Sequence, residues 1–129
     1  LREGSDQVNK AAFLSAVTVA VVAATGTAQA DPLPRPASFA MCAACHKVTP
    51  GGAGLGPNLW EIGNRKAGAA AGFNYSPAMK KSGLVWNKAN LVKFIVDPRG
   101  TIPANRMAYA GQKDAAKANE IADYLLSLK

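Results

Sequence analysis

Residues 42 to 46 are Cys42-Ala43-Ala44-Cys45-His46, and this pentapeptide decides the interpretation of the whole chain. The chain has 129 residues with two cysteines and one histidine, and all three stand within these five positions. A structural zinc site normally needs four Cys or His ligands, so this set does not complete one. A thioredoxin-like Cys-x-x-Cys would accompany a βαβ pattern, and no segment reads as a strand. A plain disulfide between the two cysteines would leave His46 unexplained.

The spacing matches the Cys-x-x-Cys-His signature for covalent attachment of c-type haem. Two thiols three positions apart can add to the vinyl groups on adjacent pyrroles of one macrocycle. The histidine directly after the second thioether is then held beneath the iron, with an imidazole nitrogen directed at the metal. The motif therefore predicts one haem c, bound covalently through Cys42 and Cys45, with His46 as an iron ligand.

The first 30 residues differ from the rest of the chain. Arg2 and Lys10 precede an uncharged run from residue 11 to residue 24, and Ala28-Gln29-Ala30 follows. A basic start, an apolar middle and small residues at a cleavage site are typical of a secretory signal. The apolar run is shorter than the roughly 20 residues that span a bilayer. We therefore expect a signal peptide over residues 1–30, a domain over residues 31–129 and a periplasmic location. An uncleaved anchor is the alternative.

The predicted domain carries the whole charge excess of the chain. It has 13 Lys or Arg against 6 Asp or Glu, which equals the formal net charge of +7. Such an excess points to an acidic partner or surface. The basic residues occur singly or in pairs without a nucleic-acid-binding motif, so nucleic acid is not the expected partner. Positive charge that serves solubility alone is the alternative.

Local patterns predict a small all-α domain with few helices and long loops. Three prolines in residues 31–36 predict an extended linker, followed by a short helix from Pro36 to Cys42. Ser76 and Pro77 favour a short helix to residue 81, and Asn87 is a suitable N-cap for a helix over residues 88–96. Apolar residues at i, i+3, i+4 and i+7 predict a last helix within residues 114–129. The Gly- and Pro-rich stretch 49–57 and the aperiodic stretch 99–111 are expected to be loops.

The second axial position of the iron, on the other face of the haem, also has to be assigned, and the chain has no second histidine. The candidates are Met41, Met79, Met107, a lysine or an open site. Met41 is next to an attachment cysteine and cannot easily reach the far face, and Met79 falls in a predicted helix. Met107 lies in a loop that Pro103 stiffens, which favours Met107 as the ligand. Any methionine can instead be core filler.

Beyond the haem motif, an ordered set of residues resembles class I c-type cytochromes, especially mitochondrial-type cytochrome c and its bacterial relatives. The similarity runs from about Phe39 to the C-terminus. Its anchors are Gly56-Pro57-Asn58-Leu59, Gly63-Asn64-Arg65-Lys66-Ala67-Gly68, Gly72-Phe73-Asn74-Tyr75-Ser76, Trp86, Asp97-Pro98, Ile102-Pro103, Met107, Gly111 and Tyr124-Leu125. The resemblance implies a class I cytochrome c-like fold. It implies that Pro57 accepts a hydrogen bond from His46, and that Arg65, Tyr75 and Trp86 hold a buried haem propionate.

Some positions depart from the family pattern. Pro34 and Pro36 stand where the family's first helix runs, so we expect that helix to be truncated, and its packing on the last helix is in doubt. Phe94 stands where the family commonly has a tyrosine. Met79 stands where the family often has a polar residue. Asn105 replaces a residue with a hydroxyl. The distal side is therefore expected to be drier and less hydrogen-bonded than in the mitochondrial protein.

Together these features predict a soluble, monomeric, mono-haem electron carrier that cycles between ferric and ferrous iron and is not an enzyme. A haem enzyme or gas-binding sensor with peroxidase-like activity is the alternative, if Met107 is a labile ligand. The expected partners are acidic redox proteins such as a terminal oxidase, a reductase complex or a dehydrogenase. No membrane span is expected once the signal is cleaved. Basic residues are expected to ring the exposed haem edge, namely Arg99, Arg106 and Lys113, with Lys47 and Lys93 as further candidates.

Overall fold

The structure is a computed structural model that describes residues 17–23, 26 and 28–129. Arg2, Lys10 and the first part of the apolar run lie outside the described residues. The described part of the segment before Asp31 has no regular secondary structure. No helix within the described ranges is long and apolar enough to cross a bilayer. The signal peptide over residues 1–30 therefore stays a prediction.

Five short helices joined by long loops form the domain. A 3-10 turn leads into the first of them, and the elements in chain order are the turn Ala37–Phe39, α1 (Ala40–Ala43), α2 (Pro77–Lys81), α3 (Lys88–Val96), α4 (Pro98–Thr101) and α5 (Ala115–Ser127). The part of the chain that the structure describes contains no strand, only an isolated antiparallel bridge between Lys66 and Val85. The prediction of an all-α domain with long loops is confirmed.

Side-chain caps determine where the two longest helices begin. Asn87 Oδ1 accepts a hydrogen bond from the N–H of Asn90 at the start of α3, with a distance of 2.9 Å. Asp114 Oδ1 accepts from the N–H groups of Ala116 and Lys117 at the start of α5. Each cap satisfies backbone donors that have no partner within the helix, and a cap of this kind contributes about 1 kcal/mol. Both helices begin where the sequence predicted.

Helix α4 begins the stretch that was predicted to be loop, so that prediction was wrong at its start. Asp97 Oδ1 accepts from the N–H of Gly100 at 3.0 Å. Pro98 occupies the first helical position, where a missing N–H has no cost. Thr101 Oγ1 donates to the carbonyl of Lys93 at 3.1 Å and joins α4 to α3. A helix of one turn is too short to show periodicity, so only its cap could have indicated it.

Helices α3 and α5 pack on each other, and the 3-10 turn packs on α5. Phe39 is fully buried, and its ring meets that of Tyr124 edge-on with the ring centroids 5.1 Å apart. The first helix is truncated, as expected. Its contact with the last helix, which the sequence put in doubt, is nevertheless present, because a single 3-10 turn is enough to direct the Phe39 ring into the core.

The Pro-rich segment 31–36 has no regular secondary structure, and it contacts the helices. The N–H of Leu33 donates to Ser127 Oγ at 2.9 Å, at the end of α5. The guanidinium of Arg35 lies 5.6 Å from the centroid of the Phe39 ring, within the range of a cation–π contact. This segment therefore lies against the two ends of the helical core.

Candidate haem site

A cavity of about 510 Å³ lies between the α3–α5 pair and the long loops. Apolar side chains make up most of its wall, among them Leu91, Phe94, Ile95, Ile121 and Leu125 from the two helices. Seven of the eight residues that the sequence proposed for the site also line it: Cys42, Cys45, His46, Pro57, Tyr75, Trp86 and Met107. These seven residues come from a stretch of 66 positions, and the fold brings them together around one cavity.

His46 is held by a single strong hydrogen bond. Its Nδ1 lies 2.7 Å from the carbonyl oxygen of Pro57. Because a carbonyl can only accept, Nδ1 carries the proton, and Nε2 is left free to bind a metal. Burial lowers the pKa of His46, and the bond to Pro57 partly opposes that effect. The imidazole is therefore kept in the neutral form that serves as a metal ligand.

Gly56 leaves the space that the His46 ring occupies. A Cβ atom on Gly56 would lie 2.7 Å from Cε1 and 2.9 Å from Nδ1 of the imidazole. Contacts that short would push the ring away from the Pro57 carbonyl. The glycine before Pro57 is therefore required by the orientation of the imidazole.

The two cysteines and the histidine share one tight turn at the end of α1. The N–H groups of Cys45 and His46 both donate to the carbonyl of Cys42, at 3.1 and 2.9 Å. No disulfide joins Cys42 to Cys45, so the plain disulfide considered above is not formed. Burial raises the pKa of Cys42. The turn presents both sulfurs and the imidazole to the same cavity.

Arg65 lies beside the cavity wall. Its Nη1 and Nη2 donate to the carbonyls of Trp60 and Asn58 at 3.2 and 3.0 Å. Its Nε is buried and has no hydrogen-bond partner among the described residues. Burial raises the pKa of Tyr75, while the Ala70 backbone and the charge of Arg65 partly oppose that rise. A buried donor without an acceptor is rare, and here it fits a negatively charged group bound next to Tyr75.

All three methionines line the cavity. Met107 lies in the loop after α4, and Met79 lies in α2. The third, Met41, is 71% exposed at the rim. Phe94 is buried on the same wall, and its ring packs on Trp86 with the centroids 5.0 Å apart. Met79 and Phe94 are both apolar, in keeping with the expected dry surroundings of the iron.

Arg106, which the sequence proposed for the exposed haem edge, lines the cavity, and so does Tyr109, which the sequence did not indicate. Arg106 Nη1 donates to the carbonyl of Asn74 at 3.2 Å, which joins the loop of Met107 to the segment before α2. Burial raises the pKa of Tyr109, and the neighbouring Cys42 sulfur adds to the rise. Tyr109 lies two positions from Met107, so the loop chosen for Met107 was the signal that could have indicated it.

The residues present fit a haem. The cavity is apolar, two thiols and a neutral imidazole stand together on its wall, thioethers are available as a second ligand, and an unpaired guanidinium N–H can receive a carboxylate. Such a site within a small helical fold defines a c-type haem protein.

Comparisons with known proteins agree with that class. Residues 36–129 match the Cytochrome c family. The chain is 46% identical over 93 residues to cytochrome c2 iso-2 of Magnetospirillum fulvum, which covers 72% of this chain and 97% of that relative. It is 44% identical over 92 residues to cytochrome c2 of Rhodoblastus acidophilus, with 70% and 86% covered. The structure resembles cytochrome cH from Methylobacterium extorquens with a TM-score of 0.64 at 39% identity, covering 68% of this chain and 89% of that one. The chain belongs to the cytochrome c family.

This membership confirms several predictions made from the sequence. The fold is the small class I cytochrome fold, and one haem c is covalently bound through Cys42 and Cys45. The protein is an electron carrier that serves redox partners, and it is not an enzyme.

Proposed function

We propose that the chain is a periplasmic electron carrier whose iron is held between His46 and Met107 and whose partners are acidic redox proteins. The observation that carries the proposal is the apolar cavity with Cys42, Cys45, His46 and Met107 on its wall. Bound there, the haem supplies one-electron chemistry at its iron. A monomer is sufficient for this role, because every proposed ligand comes from one chain.

The two proposed axial residues have different tasks. His46 keeps its proton on Nδ1, facing Pro57, and so offers Nε2 to the iron. Met107 fills the coordination position that a substrate or a small ligand would otherwise take. A thioether ligand also favours the ferrous state and raises the reduction potential. With His46 and Met107 as its two ligands and apolar side chains around it, a bound haem would exchange electrons and would offer no position to a substrate.

Arg65, Tyr75 and Trp86 are proposed to hold a propionate of the haem. The unpaired Nε of Arg65 supports this role, because a carboxylate would give it an acceptor. Tyr75 and Trp86 stand on the cavity wall with an O–H and an N–H to donate. A buried carboxylate needs such partners, since its burial without them is costly.

Export is supported by two features of the sequence. The first 30 residues have the composition of a signal peptide. The haem motif agrees with it, because attachment of c-type haem takes place after export. Residues 31–129 are then the mature domain.

Basic residues on both sides of Met107, which we call the basic loop, support the proposal of an acidic partner. Arg99, Arg106 and Lys113 are exposed, and Arg106 also lines the cavity. Lys113 Nζ donates to the carbonyl of Val96 at 2.8 Å, which holds it at the end of α3. One exposed ion pair contributes only about 0–1 kcal/mol. The three cations must therefore act together to direct a partner towards the haem.

Electron transfer to an acidic terminal oxidase is expected to slow as salt rises, because screening weakens the attraction between the basic loop and the partner. Replacing Arg99, Arg106 and Lys113 together with glutamine should reduce the low-salt association rate by about 10-fold or more and flatten its salt dependence. Stopped-flow measurement from low to physiological ionic strength gives both quantities.

A control variant has glutamine at Lys66, Lys88 and Lys129, none of which lines the haem cavity. It loses as much positive charge as the variant of the basic loop. It should keep most of the parent rate and its salt dependence. The reduction potential of each variant separates a changed driving force from a changed encounter. Equal slowing in both variants would show that only net charge matters, and the proposed docking surface would then be wrong.

A further inference from the structure

The side-chain amide of Asn105 makes three hydrogen bonds. Its Nδ2 donates to the carbonyls of Pro98 and Ile102, at 2.9 and 2.8 Å. Its Oδ1 accepts from the backbone N–H of Met107 at 2.9 Å. The amide therefore connects the end of α4 with the backbone of the proposed iron ligand.

The α4 end of this connection is fixed. Pro98 is less than 2% exposed and Ile102 is 3% exposed, so both are anchored in the core. Thr101 joins α4 to α3 through the carbonyl of Lys93. Between this anchor and Met107 the chain turns through Ala104, which has a left-handed φ of 63°. The N–H of Asn105 also donates to the carbonyl of Ile102 at 3.2 Å, and Arg106 Nη1 donates to the carbonyl of Asn74. Among the hydrogen bonds of the described residues, the Asn105 amide joins the end of α4 to the backbone of Met107.

The same pattern occurs once more, on the other ligand's loop. Asn58 Nδ2 donates to the carbonyls of Thr49 and Gly52, both at 2.8 Å. Asn58 Oδ1 accepts from the N–H of Trp60, two positions on, at 2.8 Å. Asn58 directly follows Pro57, whose carbonyl orients His46. Two unrelated loops thus use an asparagine with identical bonding next to a residue that serves the iron.

We propose that Asn105 is a positioning residue that holds Met107 on the iron. The proposal rests on the proposed ligation by Met107. Without the amide, the loop gains conformations in which the thioether has left the metal. An external ligand binds only those conformations, so its apparent affinity rises in proportion to their population.

The test is imidazole binding to the ferric holoprotein, followed by its absorption spectrum. Asn105→Ala removes three hydrogen bonds and leaves the Met107 N–H without its acceptor, while the carbonyls of Pro98 and Ile102 keep their backbone donors. Its apparent dissociation constant for imidazole should fall about 10-fold to 100-fold. Asn105→Ser keeps a weaker acceptor for an N–H two positions on, and its dissociation constant should lie between those of the parent and Asn105→Ala. Should Asn105→Ala fail to fold, the comparison of Asn105→Ser with the parent decides, and an unchanged constant then overturns the proposal.

Two controls separate positioning from general loosening. Asn119→Ala removes one amide–carbonyl bond on the exposed face of α5 and should match the parent. Asn58→Ala removes the same three bonds from the other loop, so it disturbs the fold to a similar extent. Guanidinium unfolding of each variant measures that disturbance. The proposal requires Asn105→Ala to gain more imidazole affinity than Asn58→Ala at similar loss of stability, and equal gains overturn it.

A Met107→Ala protein, studied by the same absorption spectroscopy, distinguishes a wrong assignment of the iron ligand from a wrong role for Asn105. If it keeps the far-red absorption band of methionine-ligated ferric haem, the ligation by Met107 is wrong. If it loses that band while Asn105→Ala binds imidazole like the parent, the ligation stands and only the role of Asn105 is wrong.

Discussion

Met107→Ala is expected to open the iron to external ligands. The ferrous protein should bind carbon monoxide, and the weak far-red band that methionine gives with ferric haem should disappear. The reduction potential should fall by at least about 0.1 V, a modest part of the roughly 0.8 V that axial ligands span, because a thioether that favours ferrous iron is lost. Absorption spectra with and without carbon monoxide and a redox titration measure all three effects.

The other two methionines provide matched controls. Met79→Ala removes a second thioether from the same cavity wall, and Met41→Ala removes one that is mostly exposed. Both variants should keep the far-red band. A band that survives in Met107→Ala and vanishes in Met79→Ala would assign the ligand to α2 instead of the loop after α4.

Phe39→Ala should lower the free energy of unfolding of the holoprotein by about 3–5 kcal/mol. Phe39 is completely buried and meets Tyr124 edge-on, so its loss leaves a cavity between the first turn and α5. Guanidinium unfolding followed by circular dichroism, with linear extrapolation to water, gives the value.

Phe39→Leu keeps most of the buried volume and loses the aromatic pair. It should cost less than Phe39→Ala, and its own cost should include the roughly 0.5–1.5 kcal/mol of the ring contact. Lys81→Ala changes an exposed side chain that does not line the haem cavity, and it should stay within about 0.5 kcal/mol of the parent. A Phe39→Ala protein as stable as Lys81→Ala would mean that the first turn contributes nothing to the core.

Features that depend on local chemistry were predictable from the sequence. Asn87 and Asp114 cap helices because their side chains bond to amides two or three positions on, and such bonds need no tertiary contact. The haem motif is local in the same sense, since Cys42, Cys45 and His46 share one turn. The family resemblance indicated Pro57 and Tyr75 as site residues, and both line the same cavity.

Features that depend on long-range packing were less predictable. Pro34 and Pro36 indicated correctly that the first helix is short, but they carry no information on whether Phe39 still reaches Tyr124. Helix α4 was missed because one turn of helix has no period to detect. Asn105 was noted only as a departure from the family, because its three bonds require the end of α4 to lie beside it.

The cavity wall has a consequence for how the protein is made. Apolar side chains make up most of the wall of a space of about 510 Å³. Without a haem these side chains would face water or a void, and either costs free energy of folding. A chain that has not received the haem is therefore expected to be less stable than the holoprotein, so that a larger fraction of it is unfolded and open to proteolysis.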